Sequence, residues 1–281
     1  MKLDDVQRSG NMVDRRGGGG GGAGGKIALS GGTIVVVLIV SVVTGINPLT
    51  LLGGLQGGES APTEANAPPP AEGTDRAADF VGKVLATTES AWTELAPQLG
   101  VTYREPKLVL FRDGVSSACG QQSAAVGPFY CPGDEQAYLD LTFFDDLSAR
   151  FGAPGDFAAA YVVAHEIGHH LQKITGSDRK VGNDREGAES GAVRLELQAD
   201  CYAGVWASWA QKKGLLETGD AEEALKAANQ IGDDTLQKRG RGKVTPDSFT
   251  HGTSAQRQKW FSTGLSSGDP KRCDTFAAAT L

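Results

Sequence analysis

Two histidines, in the run His165-Glu166-Ile167-Gly168-His169, have a spacing that can do chemistry. In a helix of 3.6 residues per turn, positions four apart lie on one face, one turn along. Imidazoles placed there can both reach a single zinc ion, about 2.0–2.1 Å from each nitrogen. Glu166 then falls beside a water on that ion, where a carboxylate can take its proton. Two histidines merely packed in a core would leave Glu166 unexplained on a largely apolar helix. The spacing therefore predicts His165 and His169 as metal ligands and Glu166 as the general base.

A catalytic zinc takes three protein ligands and keeps a fourth position open. His170, His251, Glu189, Glu196 and Asp200 are the candidates for the third. His170 is rotated about 100° from His169 and points elsewhere. Glu196 stands in Glu196-Leu197-Gln198-Ala199-Asp200, in a stretch rich in Val, Leu, Ala and Trp. A Glu-x-x-x-Asp pair alone is usually a solvated helix face. Placed on a second apolar helix that packs on the first, it predicts Glu196 as the ligand. Asp200, one turn along, would accept the N–H of a ligand histidine and fix its tautomer.

His251 lies outside any apolar periodicity, on a loop before a short helix. Two roles stay open for it. It can donate to the oxyanion of a tetrahedral intermediate, or it can be a surface or capping histidine. Asp233-Asp234 reads as a helix cap rather than a cation site.

These residues need a scaffold, and the pattern supplies one. Helical spacing covers Ala77–Leu95, Phe157–Ile174, Gly191–Lys213, Asp220–Ile231 and Ser254–Phe261. Lys107–Phe111 and Tyr138–Phe144 read as strands, with Phe129-Tyr130, just before Cys131, pairing with the second across the turn at Pro132-Gly133-Asp134. Strands first and helices after predict an α+β domain with a small sheet and an active-site helix. Tyr138–Phe144 is the expected edge on which an extended substrate adds as a further strand.

All four cysteines lie after residue 100, and no C-x2-C spacing suggests a thiolate metal site. The short loop between them pairs Cys119 with Cys131, leaving Cys201 with Cys273. Disulfides require an oxidising compartment.

Net charge is −7, which gives no reason to expect nucleic acid. The basic cluster Lys238–Lys243 is short and glycine-broken, a solvated loop. The run Gly17–Gly22 lacks the Lys-Ser/Thr ending of a phosphate loop.

Residues 1–26 are polar and glycine-heavy and read as a disordered tail. From Ile27 to Gly58 no residue is charged, and Ile27–Ile46 supplies the roughly 20 apolar residues that cross a bilayer. The length and the absence of a nearby small-x-small site favour an uncleaved anchor over 27–52 rather than a signal peptide. Lys2, Arg8, Arg15, Arg16 and Lys26 precede it, and Glu59 and Glu64 follow. That bias predicts a cytoplasmic N-terminus and an extracytoplasmic remainder. Residues 53–76 form a Pro/Gly-rich stalk before a domain over 77–281.

Several stretches together resemble the neutral zinc metallopeptidase family of bacterial membranes. They are Ala118-Cys119-Gly120, Gly127–Pro132, Ala160–His170, Arg194–Cys201, Ile231–Asp234 and Ser248–Gly252, falling in order across about 77–276. The resemblance implies a zincin-like fold and zinc-dependent hydrolysis of a peptide or protein substrate, with His165, His169 and Glu196 holding the metal. The rival expectation is an inactive, zinc-binding, membrane-anchored interaction module, against which the intact Glu166 counts.

Overall fold

The computed structural model describes residues 1–17 and 75–281. Helix α1 (Arg76–Leu95) starts where the Asp75 side chain accepts the amide of Ala78 at 3.0 Å, and it buries Val81, Val84, Leu85 and Trp92 along one face. A four-stranded sheet follows, built from β1 (Met12–Asp14), β2 (Lys107–Phe111), β5 (Phe129–Cys131) and β6 (Gln136–Asp140). Its order is β1-β2-β6-β5, with β1, β2 and β6 parallel and β5 antiparallel to β6. Leu108–Phe111 is buried throughout, as a strand covered on both faces should be. A separate hairpin pairs β3 (Gly114–Ser117) with β4 (Gly120–Ser123).

Helices then dominate: α2 (Thr142–Ala149), α3 (Asp156–Thr175), α4 (Gly191–Lys212), α5 (Asp220–Gln230), α6 (Asp233–Arg241) and α7 (Ser254–Ser267). Among the described residues, seven helices and a small sheet make the mixed α+β domain expected. Disulfides join Cys119 to Cys131 and Cys201 to Cys273, the pairing read from the sequence.

Three expectations need correction. The strand Tyr138–Phe144 ends at Asp140, whose carboxylate accepts both the amide and the hydroxyl of Thr142 at 3.0 and 2.9 Å and so starts α2. That strand is also interior to the sheet, so the edge beside the helices is β5. Residues 1–17 are ordered rather than a disordered tail. Met12 and Val13 pack on the domain, Leu3 is buried, and β1 extends the sheet. Three strand residues in a polar, glycine-flanked stretch carry too short a period to read.

The anchor over 27–52 lies outside the described residues, as do the stalk up to residue 74 and residues 18–26. Among the described residues no helix is long and apolar enough to cross a membrane.

Helices α4 and α7 touch backbone to backbone. A Cβ on Gly264 would lie 2.0 Å from the carbonyl oxygen of Cys201, and one on Gly204 would lie 2.1 Å from that of Phe261. No side chain can swing aside to make room, so Gly264→Ala must part the helices. Overpacking of this kind costs about 1–3 kcal/mol or more. Thermal denaturation should show a melting temperature lower by roughly 5–10 °C. An unchanged melting temperature would mean that the helices separate freely.

Candidate functional site

Helix α3 begins after Gly155, where the Glu223 carboxylate accepts the amide of Phe157 at 3.1 Å. It carries Tyr161, His165 and His169 at successive turns of one face. Helix α4 crosses it closely at Gly168, where a Cβ would meet the backbone of Ala199 at 3.0 Å. Glycine at this position lets α4 bring Glu196 onto the histidines. Glu196 Oε2 is 3.2 Å from His165 Nε2, and Oε1 is 3.6 Å from His169 Nε2. One ligand atom from each of the three lies within 4.8 Å of the others.

The remaining ring nitrogens fix the tautomers. His165 Nδ1 is 2.9 Å from Asp200 Oδ1, and His169 Nδ1 is 2.8 Å from Gln172 Oε1. Asp200 has only oxygen acceptors to offer. Gln172 uses its amide nitrogen to donate to the carbonyl of Leu195 at 2.6 Å, which leaves its oxygen to accept. Both Nδ1 atoms therefore donate, and both Nε2 atoms face Glu196. A carboxylate 3.2–3.6 Å from two ring nitrogens holds a positive charge there, a proton or a metal ion. The donor set, two imidazoles and one carboxylate, suits zinc.

Electrostatics point the same way. Burial opposes a charged His165, but Asp200 and Glu196 outweigh it and push its pKa up to about 10. Burial raises the Glu196 carboxyl, yet His169, His251 and His165 hold it well below the usual carboxylate range. The site draws positive charge.

Asp200 is fully buried and rests on residues the sequence did not single out. Arg257 donates to both its oxygens at 2.9 Å, and the Tyr161 hydroxyl donates to Oδ1 at 2.5 Å. Burial raises the Asp200 carboxyl, but Arg257 and His165 win and bring it to about 2. Tyr161 and Gln172 had a legible signal, since each lies three or four residues from His165 or His169 along one helix face. Arg257, on α7, had none.

Glu166 is 9% exposed and accepts no hydrogen bond among the described residues. Burial raises its pKa, the direction a general base needs. It lines a cavity of about 720 Å³ with both histidines, Glu196 and His251, walled by Phe129, Phe143 and Phe151.

His251 is about a third exposed at the cavity. Its Nδ1 lies 2.9 Å from Thr250 Oγ1 and 3.4 Å from Asp233 Oδ1, which leaves Nε2 uncommitted among the described residues. Burial works against the imidazolium, but Glu196 and Asp233 hold the pKa above its ordinary value. Asp233 accepts the amides of Thr250, His251 and Gly252, and Asp234 accepts that of Ser254. Asp233 thus ties down the loop that carries His251 and does not cap its own helix, which has no side-chain cap, and Asp234 holds the first residue of α7.

The other ligand candidates are elsewhere. His170 contacts the Tyr130 hydroxyl and the Arg104 carbonyl, and Glu189 lies at the surface near Arg194. A second acidic group, Asp156, Asp220 and Glu223, already has the Met1 ammonium 2.8 Å from Asp156.

Comparison with known proteins agrees with this chemistry. The family model described as putative neutral zinc metallopeptidase matches residues 1–276. Uncharacterized protein YpfJ of Escherichia coli K12 is 47% identical over 243 residues, covering 85% of this chain and 84% of its own. Uncharacterized protein Rv2575 of Mycobacterium tuberculosis H37Rv is 45% identical over 213 residues, 71% of each chain. No solved structure matches. A family match that takes in both helices of the histidine–glutamate cluster, and nearly all of the chain besides, means that the protein belongs to this zinc metallopeptidase family.

Proposed function

We propose that the protein is a zinc-dependent peptidase with His165, His169 and Glu196 as the metal ligands and Glu166 as the general base. The observation that carries this is the convergence of two Nε2 atoms and a carboxylate beside a second, uncommitted carboxylate. Zinc, when bound, supplies a Lewis acid for the scissile carbonyl and lowers the pKa of water. Glu166 takes a proton from the attacking water and later delivers it to the leaving amine. His251 directs its free Nε2 to the oxyanion. Asp200 and Gln172 keep the two imidazoles in the metal-binding tautomer.

The substrate is an extended peptide that adds to the free edge of β5, where Phe129 and Tyr130 line the cavity. The phenylalanine wall suits a large apolar side chain of that peptide. The uncharged stretch Ile27–Gly58 supports attachment to a membrane, and the two disulfides support a catalytic domain outside the cytoplasm.

Metal analysis of the purified full chain tests the ligand set. About one zinc per chain is expected. Glu196→Ala should lose most of it, whereas Glu217→Ala, an exposed carboxylate on a loop, should keep it. Full zinc in Glu196→Ala would remove Glu196 from the set. Hydrolysis of a broad peptide pool by the zinc-loaded wild type is the companion measurement, and no cleavage of any peptide would overturn the peptidase reading.

A further inference from the structure

The N-terminal segment is built into the domain at every level. Its strand β1 runs parallel to β2 in the register Met12↔Leu108, Val13↔Val109, Asp14↔Leu110. Leu108 donates its amide to Asn11 O at 3.0 Å, and Arg15 donates to Leu110 O at 2.8 Å. Met12 packs into the main core, and Val13 packs into the smaller cluster around Val109 and Phe111. Without β1, the apolar strand β2 would be left with a bare edge, a template for aggregation.

The domain in turn is shaped for the segment. Glu89 on α1 is 9% exposed, and its partners are Ser9 Oγ at 2.6 Å and Asn11 Nδ2 at 2.9 Å. Gly82 sits inside α1, where glycine weakens a helix relative to alanine. A Cβ there would come within 3.0 Å of the Arg8 side chain, and the Gly82 carbonyl accepts the amide of Ser9 at 3.0 Å. The glycine clears a path for the segment.

The point of departure matters most. Arg16 bonds Asp14 and, at 2.5 Å, Asp75, whose carboxylate caps α1. Residues 16 and 75 are therefore held side by side by one ion pair. A bilayer's apolar core is about 30 Å thick. One crossing between those residues would put Arg16 and Asp75 on opposite faces of it.

The charge bias that placed the N-terminus in the cytoplasm also weakens. Residues 1–17 hold four basic and three acidic side chains. Arg8 and Arg16 are engaged with Asp79, Asp14 and Asp75.

We infer that residues 1–17 are a structural part of the catalytic domain and lie on the same side of the membrane as His165 and Glu196. The cytoplasmic tail expected from the charge bias is replaced by a strand that completes the enzyme's sheet. This does not depend on the peptidase reading, since it concerns where the segment lies and not what the site does.

The test uses the full chain in cell membranes. A biotin-acceptor tag is inserted in the glycine run after Gly20, and in a separate protein in the exposed turn at Gly242-Lys243. Each is challenged with a biotin ligase held in the cytoplasm and with one exported from it. Both tags should be modified by the same ligase. A Met12→Cys/Leu108→Cys protein should form that crosslink in the membrane, identified by peptide mapping. Tags modified by different ligases overturn the inference. Tags on one side without the crosslink also overturn it, because the strand would then share the compartment but not dock. Both tags responding to the cytoplasmic ligase, with the crosslink formed on oxidation, would uphold the inference while moving the whole domain to the cytoplasmic side.

Discussion

Glu166→Gln should lose at least about a hundredfold in peptide hydrolysis while keeping its zinc, because general-base assistance is commonly worth roughly 10²–10⁴-fold. Glutamine preserves the shape and reach of the side chain but cannot accept a proton from water at neutral pH. Glu166 points no ligand atom at the cluster of His165, His169 and Glu196, so metal content should be unchanged. Stability should hardly move either. The wild-type carboxyl accepts no hydrogen bond among the described residues, and burial disfavours its charge. Replacing it with a neutral isostere relieves that cost, and the melting temperature should stay within about two degrees or rise slightly. Zinc analysis, thermal denaturation and hydrolysis of a peptide pool, done on one preparation, separate the possibilities. Undiminished hydrolysis at full zinc would show that another residue is the base. A loss of zinc together with activity would mean that Glu166 belongs to the metal's ligand set.

The site's centre was legible because it is local. His165, Glu166 and His169 lie within five residues, and helical periodicity alone places two imidazoles on one face. Glu196 and Asp200 were legible for the same reason, once their helix was expected to pack on the first. What completes the site comes from contacts distant in sequence. Arg257 reaches Asp200 from a helix more than fifty residues further on, and no spacing announces a guanidinium that neutralises a buried carboxylate. The errors in the fold have a related cause. Asp140 ends one element and starts the next within three residues, so an alternating pattern ran on through a helix. Strand β1 is held by hydrogen bonds to β2 and by Glu89, not by any preference of its own three residues. Local composition made it look like a tail. Helix α7 shows the reverse: it starts at the expected Ser254 but runs on past Phe261 to Ser267, through Gly264 packed against α4, and stops at Gly268 in the left-handed region.

Asp200→Asn should be the most destabilising of the conservative changes at the site. Asp200 has no exposed surface and Arg257 only 3%, and the two are joined by a pair of parallel hydrogen bonds at 2.9 Å. Removing one charge of a buried pair leaves the other without compensation, at a cost of about 3–5 kcal/mol. For a domain of this size the melting temperature should fall by roughly 10 °C. A second variant separates this cost from any effect on the metal. Asp200→Asn combined with Arg257→Met removes both charges, and replacing a whole buried pair with uncharged groups is often close to neutral. The double variant should therefore recover most of the lost melting temperature. It should not recover zinc affinity. An asparagine oxygen can still accept the Nδ1 proton of His165, but it carries no charge to raise the basicity of the facing Nε2. Loss of such a partner typically costs about 10–100-fold in metal affinity. If the double variant melted as low as Asp200→Asn, the stranded guanidinium would not be the cause. If its zinc affinity matched the wild type, Asp200 would be a structural counter-ion for Arg257 with no part in preparing His165.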